Sequence, residues 1–219
     1  MENSKDKEMK KFKLSNNGVA PKLGNYMIPK NIDFKVAVDL GSNMGLFTKK
    51  YHNKFEKIYF FEASYENYIK SLANILSSGI KNSVGFNLAA SKKSGELLKI
   101  YSHSNGDCGS NSIVETDRIN HNDYHMVPSI SFKDIFSLIS EEKINYLKID
   151  IEGAEYDLLM EADLSNVECI AIEIHNLLGE DKMQEIRDKI SLTHTRLFVK
   201  KAIPNICNEE ATYVIRDTR

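Results

Sequence analysis

The 219-residue chain has little cysteine, no excess of charge of either sign and no long apolar run. Each shortage removes a class of protein. Its three cysteines, Cys108, Cys169 and Cys207, are odd in number and show no C-x-x-C spacing. Neither a disulfide framework nor a zinc knot is therefore written here, and the usage suits a reducing compartment. A formal net charge of -2 gives no general grip on nucleic acid, because phosphate binding needs a clustered basic excess. Stacking aromatics interleaved with Lys and Arg are missing as well. No apolar stretch approaches about 18 residues, so no membrane span is expected. The N-terminus, MENSKDKEMKKFK, is charged and reaches no apolar h-region. No secretory signal is expected, and a cytoplasmic location is.

What remains has the make-up of a globule, 42% hydrophobic and 27% charged, long enough for one α/β domain and short for two. Residues 1–34 read as an N-terminal tail and cap, with Lys10, Lys11 and Lys13 a solvated run and Tyr26, Met27 and Ile28 a short cap. The domain proper spans 35–219. VAVDL (36–40) is a short, β-branched apolar run ending at a turn glycine, which suits a buried parallel strand. KIYFFEA (57–63) repeats it, with room between them for a helix starting near Met44. Tyr68, Leu72, Ile75 and Leu76 mark one helical face. A third strand is expected over Ser83 to Ala90, then short extended pieces at Gly95–Tyr101 and Ser112–Glu115 around the glycine-rich NGDCGSNS (105–112).

Ser131 and Asp134 resemble a capping box opening a helix through Phe132, Ile135, Phe136 and Ile139. YLKIDI (146–151) and CIAIEIH (169–175) read as fourth and fifth strands. A helix follows each, the first with Ala154, Leu158, Leu159 and Ala162 inward, the second marked by Met183, Ile186 and Ile190. Thr193–Lys200 and Ala211–Ile215 are joined by a short loop holding Pro204, too short for a parallel crossover, so they should form an antiparallel pair. The expectation is a doubly wound, seven-stranded, mostly parallel sheet with an antiparallel last strand and helices on both faces.

The sharpest motif is VAVDLGSNMGLFT (36–48), in which Asp39 precedes Gly41, with Gly45 four residues on at a helix start. Glycine is needed where the backbone turns tightly and a ligand touches the main chain. The spacing is not the G-x-G-x-x-G of dinucleotide sites, and no Lys-Ser/Thr pair follows to make a P-loop. Asp39 would repel a pyrophosphate but attract the α-ammonium of an amino-acid-bearing nucleoside. Glu62, ending the second strand, stands where an acid hydrogen-bonds ribose hydroxyls. Two acids and two glycines at strand ends describe a pocket for S-adenosylmethionine.

These residues resemble the FkbM family of methyltransferases. The likeness runs through DLGSNMG (39–45), FEASYENYIKSLANI (61–75), NLAASKKSGE (87–96), SNSI (110–113), LKIDIEGAEYDLLMEA (147–162) and IAIEIH (170–175). KIDIEGAE is its most specific piece. One departure is that Ala63 and Ser64 stand where the family usually has Pro after the acid. The resemblance implies a class I methyltransferase (Rossmann-like) fold. It also implies that Asp39, Gly41, Asn43 and Gly45 hold the methionyl end of S-adenosyl-L-methionine. Glu62 and Ala63 would lie at the ribose side, Ala89 or Ala90 along the adenine edge, and Ser112 toward the cofactor. Family members commonly methylate hydroxyls of sugars, glycans or natural products, and some methylate carboxylates.

Methyl transfer needs an acceptor oxygen aligned with the methyl and relieved of its proton. Asp150 and Glu152 end the fourth strand, and Glu173 and His175 end the fifth. Four such groups on one edge exceed what packing needs, since buried carboxylates are costly unless paired. Either a carboxylate or His175 is the general base, or Asp150 and Glu173, with His175, hold Mg²⁺ or Mn²⁺. Glu152 or Glu173 pairing Lys148 is the plainer alternative. His103, His121 and His125 read as solvated residues of the 101–127 excursion, part of which should cover the substrate. The acceptor expected is a small polar molecule, a sugar or nucleotide-activated sugar of a surface glycan such as a capsule. A homo-oligomer is compatible with such a domain. A carboxylate methyltransferase, a non-catalytic nucleoside-binding domain and an RNA methyltransferase are the alternatives.

Overall fold

The computed structural model describes residues 27–103, 112, 119–201 and 208–216. Cys108, Cys207, Tyr26, the tail lysines and all of NGDCGSNS but Ser112 lie outside them, as do the side chains of His103 and His121. Strands β1 (Val36–Leu40), β2 (Lys57–Phe61) and β3 (Ser83–Phe86) are followed by β4 (Ala89–Ser91), β5 (Leu97–His103) and β6 (Ile119–Ser131). The chain then runs through β7 (Tyr146–Ile149), β8 (Cys169–Ile174), β9 (His194–Lys201) and β10 (Glu209–Ile215). Helices α1 (Leu46–Tyr51), α2 (Tyr65–Ser77), α3 (Phe132–Ile139), α4 (Glu155–Leu159) and α5 (Glu180–Ser191) lie between them.

The main sheet has seven strands in the order β3-β2-β1-β7-β8-β10-β9. Pairing is parallel from β3 to β8, and β10 is antiparallel to both β8 and β9. This is the expected sheet. The central strands β1, β2, β7 and β8 are largely apolar because both faces are covered, with Asp39 and Lys148 as buried charged exceptions. Val36, Val38 and Leu40 pack with Ile135, Leu158, Ile186 and Ile190 on one face. Ala37 meets Phe47, Phe55 and Tyr146 on the other, where Phe60 also packs with Ile75 of α2. Ile170, Ile172 and Ile174 are fully buried, each contributing about 1.5–3 kcal/mol by leaving water. The cap docks on the second face: Ile28 packs there, and the Tyr146 hydroxyl donates to the Met27 carbonyl at 3.3 Å. Among the described residues no helix is long and apolar enough to cross a membrane.

Ser131 caps α3 as expected, its hydroxyl accepting from the Asp134 amide at 3.2 Å, but the box is not closed, because the Ser131 amide donates to Ser94 Oγ at 2.8 Å. Two expectations are corrected. The third strand does not run unbroken to Ala90. It stops at Phe86 because Asn87 Nδ2 donates to the carbonyls of Glu62 at 2.8 Å and Ala63 at 3.1 Å, turning the chain off the sheet edge. Ala89–Ser91 then pairs parallel with Ser129–Ser131, in a second sheet ordered β4-β6-β5. In the excursion the extended piece expected at Gly95–Tyr101 is present as β5, and 113–115 lie outside the described residues, but the stretch leading to Ser131 is no loop. It carries the 13-residue β6, antiparallel to β5, and Ser112 bridges Tyr101. Ala89, Ile100 and Val127 close a small core beneath it. His125 is accordingly a half-buried strand residue, its Nε2 lying 3.3 Å from the Ala63 carbonyl oxygen.

Candidate active site

The carboxyl ends of β1, β2 and β7 and the inner face of the second sheet enclose a cleft of about 620 Å³, part of it open to solvent. The turn after β1 forms its floor. Gly41, Asn43 and Gly45 all have positive φ, at 77°, 50° and 72°. A Cβ on Gly41 would lie 1.7 Å from the Asp150 carbonyl oxygen, so no other residue fits there. Gly45 serves packing instead: its missing Cβ leaves room for Ser71 and Ile75 of α2. The Gly41 and Ser42 amides both donate to the Phe61 carbonyl at 3.0 Å, tying this turn to the end of β2.

Glu62 lines the cleft. Its Oε2 accepts from the Asn43 amide at 2.7 Å and its Oε1 from the Ser64 amide at 2.8 Å. Burial pushes its pKa up to about 7, against those two donors. Each carboxylate oxygen accepts about two hydrogen bonds, so both retain capacity for ribose hydroxyls. Asn43 Oδ1 is shut off from solvent and has no hydrogen-bond partner among the described residues. Ala63, Leu88, Ala89, Ala90 and Ile100 supply an apolar wall. An orphaned acceptor, a carboxylate with spare capacity and an apolar slot match the amino-acid end, ribose and base of S-adenosylmethionine.

Asp39 departs from its expected place. It is fully buried and is not part of the cleft lining. Its Oδ1 sits 2.9 Å from Lys148 Nζ, its cross-strand neighbour on β7. Lys148 also donates to the Gly41 carbonyl at 2.9 Å and lies 3.6 Å from Asp150. Burial opposes its charge, but Asp39, Asp150 and Glu62 hold its pKa above the ordinary lysine value. Asp39 therefore bears on the site through Lys148 and the glycine turn, and Lys148 pairs with neither Glu152 nor Glu173. Ser112 lies outside the lining too. It is buried, and its hydroxyl donates to the Glu152 carbonyl at 2.5 Å.

The acid cluster forms as one group at the mouth. Asp150 and Glu152 line the cleft; Glu173, on β8, and His175, the residue just after that strand, stand behind them. Glu152 has φ 52°, a conformation that costs about 1–3 kcal/mol in a non-glycine residue and concentrates at functional sites. His175 is buried, with Nε2 3.3 Å from Glu152 Oε2 and 3.7 Å from Glu173 Oε1. Its Nδ1 lies 2.8 Å from Glu155 Oε1. Burial disfavours the imidazolium, but the hydrogen bond and charge of Glu155, with Glu152 and Asp150, push its pKa up to about 10. Burial, reinforced by Asp150, Glu173 and Glu155, pushes Glu152 up to about 7, against the pull of His175. Burial likewise raises Glu173, whose Oε1 accepts from Asn208 Nδ2 at 3.2 Å. Asp150, Glu173 and His175 also present ligand atoms within 4.8 Å of one another, the spacing of a metal site.

Sequence reasoning missed Glu155 and the role of Lys148. A lysine inside the apolar run YLKI was the available signal, since buried lysines require a carboxylate partner.

The model of the methyltransferase FkbM domain matches residues 39–202. The chain belongs to the FkbM methyltransferase family. Membership makes it an S-adenosylmethionine-dependent methyltransferase. Among solved structures it is similar to methyltransferase FkbM from Methylobacillus flagellatus KT, at 16% identity and TM-score 0.53, over 84% of this chain and 45% of that one. This chain thus spans less than half of that relative. It is also similar to an rRNA methylase from Streptococcus thermophilus, at 11% identity and TM-score 0.51, over 85% and 90% of the two chains. A Streptococcus mutans chain solved in complex with SAH matches at 12% identity and TM-score 0.50, over 86% and 91%. These likenesses show the class I methyltransferase fold. Comparison with curated proteins yields no match.

Proposed function

We propose that this FkbM-family protein is a cytoplasmic O-methyltransferase whose acceptor is a hydroxyl of a small polar molecule, a sugar or nucleotide-activated sugar of a surface glycan. The observation that carries this reading is Glu152, a carboxylate in the cleft lining with His175 Nε2 3.3 Å from its Oε2. An alcohol must lose a proton as it is methylated, so it needs a base within reach, whereas an amine needs only a neutral nitrogen. When bound, S-adenosylmethionine supplies an electrophilic sulfonium methyl. Asn43 and Glu62 hold its amino-acid and ribose parts, and Ala89, Ala90 and Ile100 flank its base. Glu152 takes the hydroxyl proton while His175 steadies the carboxylate. A binding domain without chemistry has no use for such a cluster.

A second reading has Asp150, Glu173 and His175 hold Mg²⁺ or Mn²⁺ to orient and acidify the hydroxyl, supported by the closeness of their ligand atoms. The hydrogen bonding favours the first: both nitrogens of His175 face carboxylates, so Nε2 serves as a donor.

The test is incubation with methyl-labelled S-adenosylmethionine and a panel of nucleotide-activated sugars and glycans. Label should enter a panel member, and Glu152→Gln should slow its transfer by about 10²–10⁴-fold with affinity for S-adenosylhomocysteine retained. Label entering RNA alone would refute the acceptor class, and full activity of Glu152→Gln would refute the base.

A further inference from the structure

We infer that Glu155 is a positioning residue that fixes the His175 ring by accepting a hydrogen bond from its Nδ1, and so aims Nε2 at Glu152 and Glu173. The inference deepens the proposed function, because it concerns how that site is assembled, but the contact it describes exists without any acceptor. Glu155 opens α4 and is 1% exposed. A side chain at that position of a five-residue helix has no need to be buried, and burying a carboxylate is costly unless every oxygen contact is repaid by a donor. Here one oxygen does three things. Glu155 Oε1 accepts from the Ile151 amide at 3.2 Å, from the Gly153 amide at 3.2 Å and from His175 Nδ1 at 2.8 Å.

The first two bonds hold the turn that carries Glu152, on either side of that residue. The third reaches across to the end of β8. Glu155 therefore joins the two strand ends that supply the acid cluster, and sets Glu152 and His175 in one frame. Glu155 Oε1, already accepting from two backbone amides, meets His175 Nδ1 as an acceptor. The Nδ1 of His175 must then carry a hydrogen, which leaves Nε2 as the atom presented to Glu152 Oε2 and Glu173 Oε1. Orienting the ring through its far nitrogen fixes the direction of its near one. Without Glu155 the ring is free to turn, and Glu152 loses its fixed partner.

The test uses the full chain, labelled with ¹⁵N-histidine and saturated with S-adenosylhomocysteine, so that no acceptor is required. In the wild type at neutral pH the His175 Nδ1 should be protonated, with a slowly exchanging, strongly downfield proton. Glu155→Gln keeps the size of the side chain and an oxygen acceptor for the two amides. It should lose that downfield signal, while S-adenosylhomocysteine affinity changes less than about threefold. Glu152→Gln should leave the Nδ1 signal in place. A wild-type Nδ1 without a proton overturns the inference whatever the variants do. So does a Glu155→Gln protein whose His175 signals match the wild type. Because the spectra report the contact alone, an inactive sugar panel would count against the hydroxyl reading and leave this result standing.

Discussion

Lys148 and Asp39 face each other across adjacent parallel strands with 2.9 Å between ammonium and carboxylate, and the two side chains are 7% and 0% exposed. The same ammonium donates to the Gly41 carbonyl, so the pair fastens the cofactor turn from beneath. Removing one partner of a buried pair leaves an uncompensated charge and costs about 3–5 kcal/mol. Lys148→Met should therefore lower unfolding free energy in urea by about that much. The double variant Lys148→Met/Asp39→Leu should regain a large part of the loss. Equal losses in the single and double variants would show that the pair is not what holds the turn.

Gly41 and Gly95 share nearly the same φ, 77° and 79°, but differ in surroundings. A Cβ on Gly95 meets nothing within 4 Å, and one on Gly41 meets the Asp150 carbonyl oxygen at 1.7 Å. Gly95→Ala should cost about 1–2 kcal/mol, the backbone term alone. Gly41→Ala should cost a further 1–3 kcal/mol or so from overpacking, and also weaken S-adenosylhomocysteine binding. Calorimetry and urea unfolding on the two variants measure the difference. Similar behaviour of the two would contradict the close approach of β1 and β7.

Glu62 gives a pH dependence with a defined sign. Its folded pKa of about 7 lies above the ordinary 4.5. Its neutral form is thus favoured by folding, and the stability it contributes is present below about pH 4.5 and is lost as pH rises through 7. Relative to wild type, Glu62→Gln should gain about 3 kcal/mol of unfolding free energy between pH 5 and 8. Cofactor binding should run the other way. A charged carboxylate is the stronger acceptor for ribose hydroxyls, so wild-type affinity for S-adenosylhomocysteine should rise through pH 7 and that of Glu62→Gln stay flat. Parallel pH profiles for the two proteins would remove Glu62 from the ribose site.

The centre of the main sheet was legible because β1, β2, β7 and β8 are covered on both faces and read as largely apolar runs, and the closing pair because the loop at Pro204 was too short for a parallel crossover. The second sheet was not. Its central strand begins INHNDYH and contains Pro128, so neither alternation nor β-propensity marked it. The break after Phe86 depends on Asn87 reaching two carbonyls from another strand, a tertiary contact that no local pattern encodes. In the site, of the residues that touch the cleft through backbone geometry, Gly41 was readable from spacing and Asn43 from the family resemblance. Asp39 was misplaced because an acid beside a glycine turn looks the same in sequence whether it faces a ligand or a lysine on the next strand. Lys148 decides between the two, and strand register alone brings them together.

Chelation separates the two uses of the acid cluster. With both nitrogens of His175 facing carboxylates, turnover should be indifferent to EDTA and to added Mg²⁺ or Mn²⁺. Activity lost to EDTA and restored by either ion would assign Asp150, Glu173 and His175 to metal binding.

Whether the acceptor is a hydroxyl is tested by the stability of the product. Material labelled from methyl-labelled S-adenosylmethionine would be treated with mild base and assayed for released methanol. An O-methyl ether resists that treatment, so the label should stay with the acceptor. Release of the label as methanol would identify a methyl ester and contradict the account.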